Sequence, residues 1–540
     1  MVGITQFYRG SAGIALGVAM LAAAPAQSRS VEISPYVGVE QVLEFDLSNN
    51  DAFGDDVVTY TALIAGVDAG VSTRRIELGA SYRYERRIGW DGAIDDENVH
   101  SGLARAELRV ARGLSIEAGA IAARARTEIG GDDLGLLTGD NSNSTQIYSV
   151  YAGPTVSTNA GPLEIGAAYR FGYTHVEDNS LANADPNQPP VDYVDRTEYH
   201  SAYASVGMSA GEQLPFGWTA TAGWEREDAR QLDQRYEGYY GRLDVTVPVT
   251  PTLALIGGVG YENIEISQRD VLVDANGEPV LDANGRFQSD PNSPRLLAFD
   301  TDGFIYDGGI LWRPNSRLTL TAVAGERYDT TYYAGSLSYQ ASEYSGVNAA
   351  VYNTVESFGR STTNTLAGLP TDFTVGRNGF NQFNGCAFSV EGGGCFDDGF
   401  GSLNSSNYRS RGASLTWAGG RGPWSYGVGA GYQNRRYFQP ATNANFTLDR
   451  VTDEVFALQG NLGYQLTPGS SLDGNLYANW FESGIAGEAD VFSTGGSATY
   501  SVNLWRGLSA QASAGLFAND IEGEETDWLG SLLFGVYYGF

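Results

Sequence analysis

The chain closes on "WLGSLLFGVYYGF" (Trp528–Phe540), and this stretch decides the fold. Trp528, Leu532, Phe534, Val536, Tyr538 and Phe540 fall on alternate positions, and only Gly530 interrupts the series. A repeat of two is that of a β-strand, whose successive side chains point to opposite faces. A chain of formal charge -31 gains nothing by showing such a stripe to water. The stripe fits a strand whose outer face meets lipid.

The same alternation recurs along the chain. In "LEIGAAYRFGY" (163–173), Leu163, Ile165, Tyr169, Phe171 and Tyr173 share one face, opposite Glu164, Gly166, Arg170 and Gly172. In "WSYGVGAGYQ" (424–433), Trp424, Tyr426, Val428 and Tyr432 oppose Ser425, Gly427, Gly429, Gly431 and Gln433. "LSAQASAGL" (508–516) repeats the pattern. The apolar faces carry aromatics near their ends, among them Trp218, Trp224, Trp424 and Tyr432. Membrane–water interfaces select aromatics at those places in spanning barrels, which leaves the small and polar face for a lumen. Connections also alternate: "STRR" (72–75), "RGL" (112–114), "GGRGP" (419–423) and "TPG" (467–469) are tight, whereas 90–98, 130–144, 178–195 and 270–294 are long and acidic. Short periplasmic turns and long extracellular loops give that asymmetry.

Composition agrees. The 540 residues include 70 glycines and 32 tyrosines. Mean hydropathy is only -0.23, and no apolar run reaches the ~20 residues of a membrane helix. Acidic residues number 64 against 33 basic ones, all of them arginine, so a nucleic-acid partner is not expected. The acidic excess leaves two readings open, attraction or bridging of cations and a merely solvated surface. Arg9, the apolar run Gly13–Ala24 and Ala24-Pro25-Ala26 read as a cleavable signal peptide over residues 1–26. The two cysteines of an exported chain, Cys386 and Cys395, are expected to pair as a staple on a surface loop.

The segments add up to an all-β fold, a single transmembrane antiparallel barrel of about 22 strands over residues 27–540. The region 327–346 is hardest to divide and leaves 20 or 24 open. An even count puts both termini at the short-turn end. The longest loop spans about 358–404, and residues alone do not decide whether it caps the barrel or folds inward.

With its outward face and terminal aromatic, the set Leu532, Phe534, Val536, Tyr538 and Phe540 resembles the recognition signal of outer-membrane barrels. That resemblance implies the barrel-assembly machinery as a partner in biogenesis, and outer-membrane lipid and lipopolysaccharide as surroundings. "SYRYERRIGW" (81–90) and "ILWRPNSRLTLTAVAGERY" (310–328) resemble large porin-like barrels of Gram-negative bacteria, which implies the outer membrane and, in part of that group, polysaccharide export. Receptors of 22 strands with an N-terminal plug are similar in strand number only, since strand one is expected within a few residues of the signal-peptide cleavage site.

Charged residues on the lumen faces form the main candidate site. Glu77, Arg83, Glu85 and Arg87 share a face of one strand, Arg105, Glu107 and Arg109 a face of the next, and Arg242 and Asp244 a face of a later one. Such a ladder either lines a wet pore or pairs across strands and stiffens the wall. His100, His175 and His200 have no ligand-spaced neighbours, and no nucleophile elbow is present, so neither a metal, a cofactor nor an enzyme is expected. Asp-Ala-Asn-Gly occurs at 274–277 and 282–285, which suits a small loop hairpin better than a calcium loop. The functional expectation is an outer-membrane channel for hydrophilic solutes, cation-preferring because its loops are acidic. The rival is a structural or surface-interaction barrel closed by its loops or by a partner that plugs the lumen.

Overall fold

A computed structural model describes residues 30–48, 57–90, 96–126, 144–177, 192, 194–282, 286–390, 392–396, 404–442, 447–485 and 488–540. The signal-peptide segment 1–26, most of the acidic stretches 130–144 and 178–195, and 283–285 of the second Asp-Ala-Asn-Gly lie outside these residues.

Strands run in chain order from β1 (Ser30–Asp46) to β15 (Ser345–Glu356), and from β19 (Asn407–Arg421) to β25 (Asp527–Gly539). They form one 22-stranded antiparallel sheet. Each strand pairs with its sequence neighbour, β15 with β19, and β25 closes the barrel on β1 in the register Tyr36–Gly539 to Asp46–Leu529. Closure removes the exposed sheet edges that would otherwise present unpaired backbone groups to lipid. The chain is therefore an outer-membrane β-barrel, with connections such as Ala111 to Leu114 and Trp505 to Leu508 at one end and the long ones at the other.

The alternation resolves into two walls. Leu63, Val150, Leu243, Leu476, Leu516, Phe534 and Val536 are exposed on the outside, where lipid rather than water is the solvent. Exposed aromatics flank that band: Tyr239, Tyr261, Tyr333 and Tyr432 toward the long loops, and Trp424, Trp505 and Phe540 toward the short turns. Two histidines join the upper belt. Tyr82 bonds His100 at 2.6 Å and Tyr169 bonds His200 at 2.7 Å, each beside further aromatic rings. His175 lies 4.0 Å from Asp195.

The doubtful region 327–346 becomes β13 (Leu318–Arg327) and β14 (Thr330–Ser342). Tyr328 and Asp329 make the turn, both with positive φ (57° and 52°), as a two-residue hairpin turn matched to strand twist requires. In the 270–294 loop, bridges at Val271–Ser289, Val273–Pro279 and Leu281–Phe287 form a small hairpin. Asp274 accepts from the backbone N–H groups of Asn276 and Glu278 at 2.8 and 3.0 Å and so holds its first turn.

The register between β14 and β15 stops at Gly335–Val351 on the long-loop side. Above that point Tyr352–Glu356 pairs only with β19. The seam is bridged by side chains instead: Asn353 donates to the Thr331 carbonyl at 2.9 Å, Arg409 to the Tyr328 carbonyl at 2.9 Å and Arg411 to the Thr330 hydroxyl at 3.3 Å.

Candidate functional site: a lumen closed from within

Between β15 and β19 the chain turns into the barrel. The insertion holds one helix, α1 (Phe358–Gly368), and a small sheet of β16 (Thr374–Arg377), β17 (Phe383–Phe388) and β18 (Gly394–Cys395). The question left open by the sequence for 358–404 is thus resolved inward for its described residues 358–390 and 392–396.

At the extracellular mouth Ser357 caps α1, accepting from the Arg360 backbone N–H at 3.3 Å, and its hydroxyl donates to Glu227. Arg360 is fully buried, with its guanidinium 3.5 Å from the Tyr236 ring centroid and 3.6 and 3.9 Å from the carboxylates of Glu227 and Glu356. Burial opposes its charge, but Tyr236, Glu227 and Glu356 outweigh that and hold the guanidinium above its ordinary value. Below this anchor Leu366, Ala367 and Leu369 pack with Leu103, Ile121 and Tyr151 of the wall. Burying Leu366 alone contributes roughly 1.5–3 kcal/mol.

In the middle Cys386 and Cys395 are direct antiparallel partners joined by a disulfide. The staple therefore lies inside the lumen rather than on a surface loop. It rests on the glycine row of β20 (Trp424–Phe438): a Cβ on Gly429 would stand 2.7 Å from the Cys395 sulfur, and one on Gly427 would stand 3.3 Å from Phe388. The room left by those small residues is filled by the insertion.

At the tip the contacts turn polar. Arg377 donates to Ser101 and Ser81 at 3.2 and 3.3 Å, and Gly379 N–H donates to Ser497 at 2.9 Å. Asn381 donates to Glu40 at 2.9 Å and to Tyr537 at 3.0 Å. Phe380 is the apolar exception: it is buried edge-on against Phe517 in a wall cluster with Val42, Tyr60, Ile64 and Leu533. Burial pushes the Arg377 guanidinium down, and among the described residues no carboxylate lies within 4.0 Å of it. Two cavities, of about 1550 and 640 Å³, border the tip, and Arg377, Asn381 and Gln511 line both.

The charge ladder points inward. On β3 (Ile76–Gly89), Arg83 meets Glu40 at 2.6 Å and Glu85 at 2.8 Å, and Arg87 meets Glu85 at 3.2 Å. On β4 (Glu97–Ala111), Arg105 pairs with Glu117 at 2.8 Å. Near the short-turn end Arg109 spans Glu77 at 2.8 Å and Glu107 at 3.5 Å. On β10 (Gln234–Pro248), Arg242 meets Asp244 at 2.6 Å and forks onto Asp307 at 2.6 and 2.9 Å. Charge-assisted forks of this kind stiffen a wall, and their neutralised pairs present little net field to a solute.

Several partners escape a reading of single strands: Glu40, Glu117 and Asp307, and the pairs Arg327–Glu262 and Arg435–Asp453, each at 2.7 Å. Face parity would have flagged them, since each is a charged residue at an inward position of an alternating strand. Arg360, Arg377 and Asn381 carry no such signal.

No protein-family model matches the chain, and no curated relative does. Among solved structures, the ferric-catecholate import receptor Fiu from E. coli K12 aligns at 10% identity and TM-score 0.43, covering 93% of this chain and 81% of that one. The alcaligin outer-membrane receptor FauA from Bordetella pertussis aligns at 12% identity and TM-score 0.38, over 93% and 76%. The siderophore receptor PiuA from Acinetobacter baumannii aligns at 8% identity and TM-score 0.40, over 93% and 82%. The barrel stands on the chain's own closed register.

Proposed function

We propose that the chain is an outer-membrane transport barrel gated by its own insertion between β15 and β19. One observation carries this reading: the tip of the insertion meets the wall through hydrogen bonds to polar groups and a single buried apolar side chain, Phe380, with open space against it. Such bonds exchange for water at little net cost, about 1 kcal/mol each. A barrel closed for good would fill that space with packed apolar side chains. The reading replaces a steadily open, porin-like pore, because the insertion lies across the lumen.

Hydrophilic solutes suit the inward wall. Asn461, Asn475, Thr499, Ser501 and Gln511 line the larger cavity with amides and hydroxyls, which also match the hydroxyls of a saccharide and keep polysaccharide passage as a second form of the same reading. Cation preference, expected from the acidic loops, is the finer part and is read as a reversal potential in a salt gradient.

The test is planar-bilayer recording of the full chain against a variant with 358–404 replaced by a short Gly-Ser linker. Glu356 and Tyr408 are register partners, so a short linker joins the strand ends without strain. The full chain is expected to be silent with rare openings, and the variant to give large ohmic steps. A folded variant that stays silent would return the protein to the structural class.

A further inference from the structure

We propose that Arg377, together with Arg506, forms a binding site in the periplasmic vestibule for the carboxylate or phosphate of an acidic saccharide. The proposal deepens the transport reading by naming the class of solute, and it rests on that reading for the solute's passage. Arg377 closes β16 at the tip of the insertion. Its Nη1 donates to the Ser101 hydroxyl at 3.2 Å and the Asn381 carbonyl at 2.8 Å, and its Nη2 to the Ser81 hydroxyl at 3.3 Å. These acceptors are all neutral. The Nε–H and the second Nη2–H take no partner among the described residues, and the side chain lines the cavity of about 640 Å³.

Other inward arginines meet a carboxylate: Arg83, Arg105, Arg242, Arg327 and Arg435 do so at 2.6–2.8 Å. Arg377 has no such partner, and burial holds its guanidinium below the ordinary value with no paired counter-charge to offset it. Arg506 lines the same cavity, exposed on the turn after Trp505, and has no carboxylate within 4.0 Å among the described residues. Of the carboxylates nearby, Glu40 and Glu85 are taken by Arg83, and Asp68, on the same cavity, is exposed to water. The vestibule is thus left with an excess of positive charge in a chain of charge -31. A guanidinium fork suits a carboxylate or a phosphate in shape as well as charge.

Asn503, Ser509 and Gln511 also line the cavity, and their amides and hydroxyl suit the hydroxyls of a sugar ring. The Trp505–Leu508 turn places the cavity at the short-turn, periplasmic end. Acidic stretches at the other end repel an anion arriving from outside. The solute therefore enters from the periplasm.

The test is titration calorimetry of the full chain in neutral detergent at low salt, which reads binding whether or not the lumen ever opens. A gate that stays shut would thus sink the transport reading and leave the calorimetric result standing. The probes are trigalacturonate and its neutral methyl ester, maltotriose 1-phosphate and maltotriose, and inorganic phosphate. At least one acid is expected to bind roughly thirtyfold more tightly than its neutral twin, and which one does so tells a carboxylate from a phosphate. Arg377→Gln should lose that preference. Arg506→Gln should weaken the acid about threefold and Asp68→Asn tighten it about threefold, a gain that a merely structural tip would not give. Arg421→Gln, on the larger cavity but not the smaller, should change nothing. Acids that bind no more tightly than their neutral twins, or Arg377→Gln and Asp68→Asn variants that both bind like wild type, overturn the proposal. Inorganic phosphate held as tightly as maltotriose 1-phosphate overturns the saccharide assignment.

Discussion

The side-chain amide of Asn381, at the tip of the insertion, donates to the Glu40 carboxylate at 2.9 Å and so joins residues 341 positions apart. The same carboxylate receives Arg83 at 2.6 Å. Tip and ladder thus converge on one buried group, and disturbing either side has a separable outcome.

Asn381→Ala removes the tip's bonds to Glu40, Gln511 and Tyr537 while leaving the barrel wall intact. A loss of roughly 1–3 kcal/mol of docking is expected, and with it an opening frequency about tenfold higher at unchanged open conductance. Single-channel recording reads both quantities, and a changed conductance with unchanged frequency would contradict the tip's role as a latch.

Arg83→Met leaves Glu40 buried without its cation and takes one of two cations from Glu85, which keeps Arg87. The expected cost is about 3–5 kcal/mol. Arg109→Met, at a half-exposed pair, should cost less than about 1 kcal/mol. Denaturant unfolding of the two variants in one detergent gives the comparison.

Gly429→Val would push a side chain into the Cys386–Cys395 bridge, whereas the Cβ of Gly460→Val meets nothing within 4 Å. The first is expected to unseat the insertion and give conducting barrels, the second to behave as wild type. Proteolysis of 374–396 reports the seating directly.

The disulfide closes a sequence separation of 9, which corresponds to roughly 2–3 kcal/mol of chain entropy. Cys386→Ser/Cys395→Ser should therefore speed hydrogen exchange in β16 to β18 and raise the frequency of openings, with barrel strands unaffected. Unchanged exchange there would mean that packing on the wall alone holds the small sheet.

Phe540 is exposed to lipid and its backbone N–H donates to the Pro35 carbonyl at 3.1 Å. Deleting it is expected to lower the amount of barrel delivered to the outer membrane while leaving the stability of protein refolded in detergent nearly unchanged. Fractionation set against unfolding of the refolded protein separates delivery from stability.

The barrel is legible in the sequence because lipid and lumen each impose one chemistry on alternate residues. "WLGSLLFGVYYGF" carries both faces, and the strand number follows from repeating that reading. The Tyr328–Asp329 turn is not legible, since neither residue is the glycine or asparagine that positive φ favours. The split seam is equally silent, because β14 and β15 alternate normally on both sides of it. Nor does the insertion betray its direction: "GCAFSVEGGGC" has no period, and what draws it inward is the glycine row of a strand that follows it in sequence. Charged inward positions could be found strand by strand, but their partners depend on registers between strands.

Glu356 and Tyr408, the partners at which the insertion leaves and rejoins the wall, stand side by side on the extracellular rim. The closing segment is thus a door with both hinges on one jamb, not a cork. Tied to the wall at both ends, it cannot be shed into the periplasm. On the proposed gating, reclosing is first-order, with a rate independent of how many copies share the membrane.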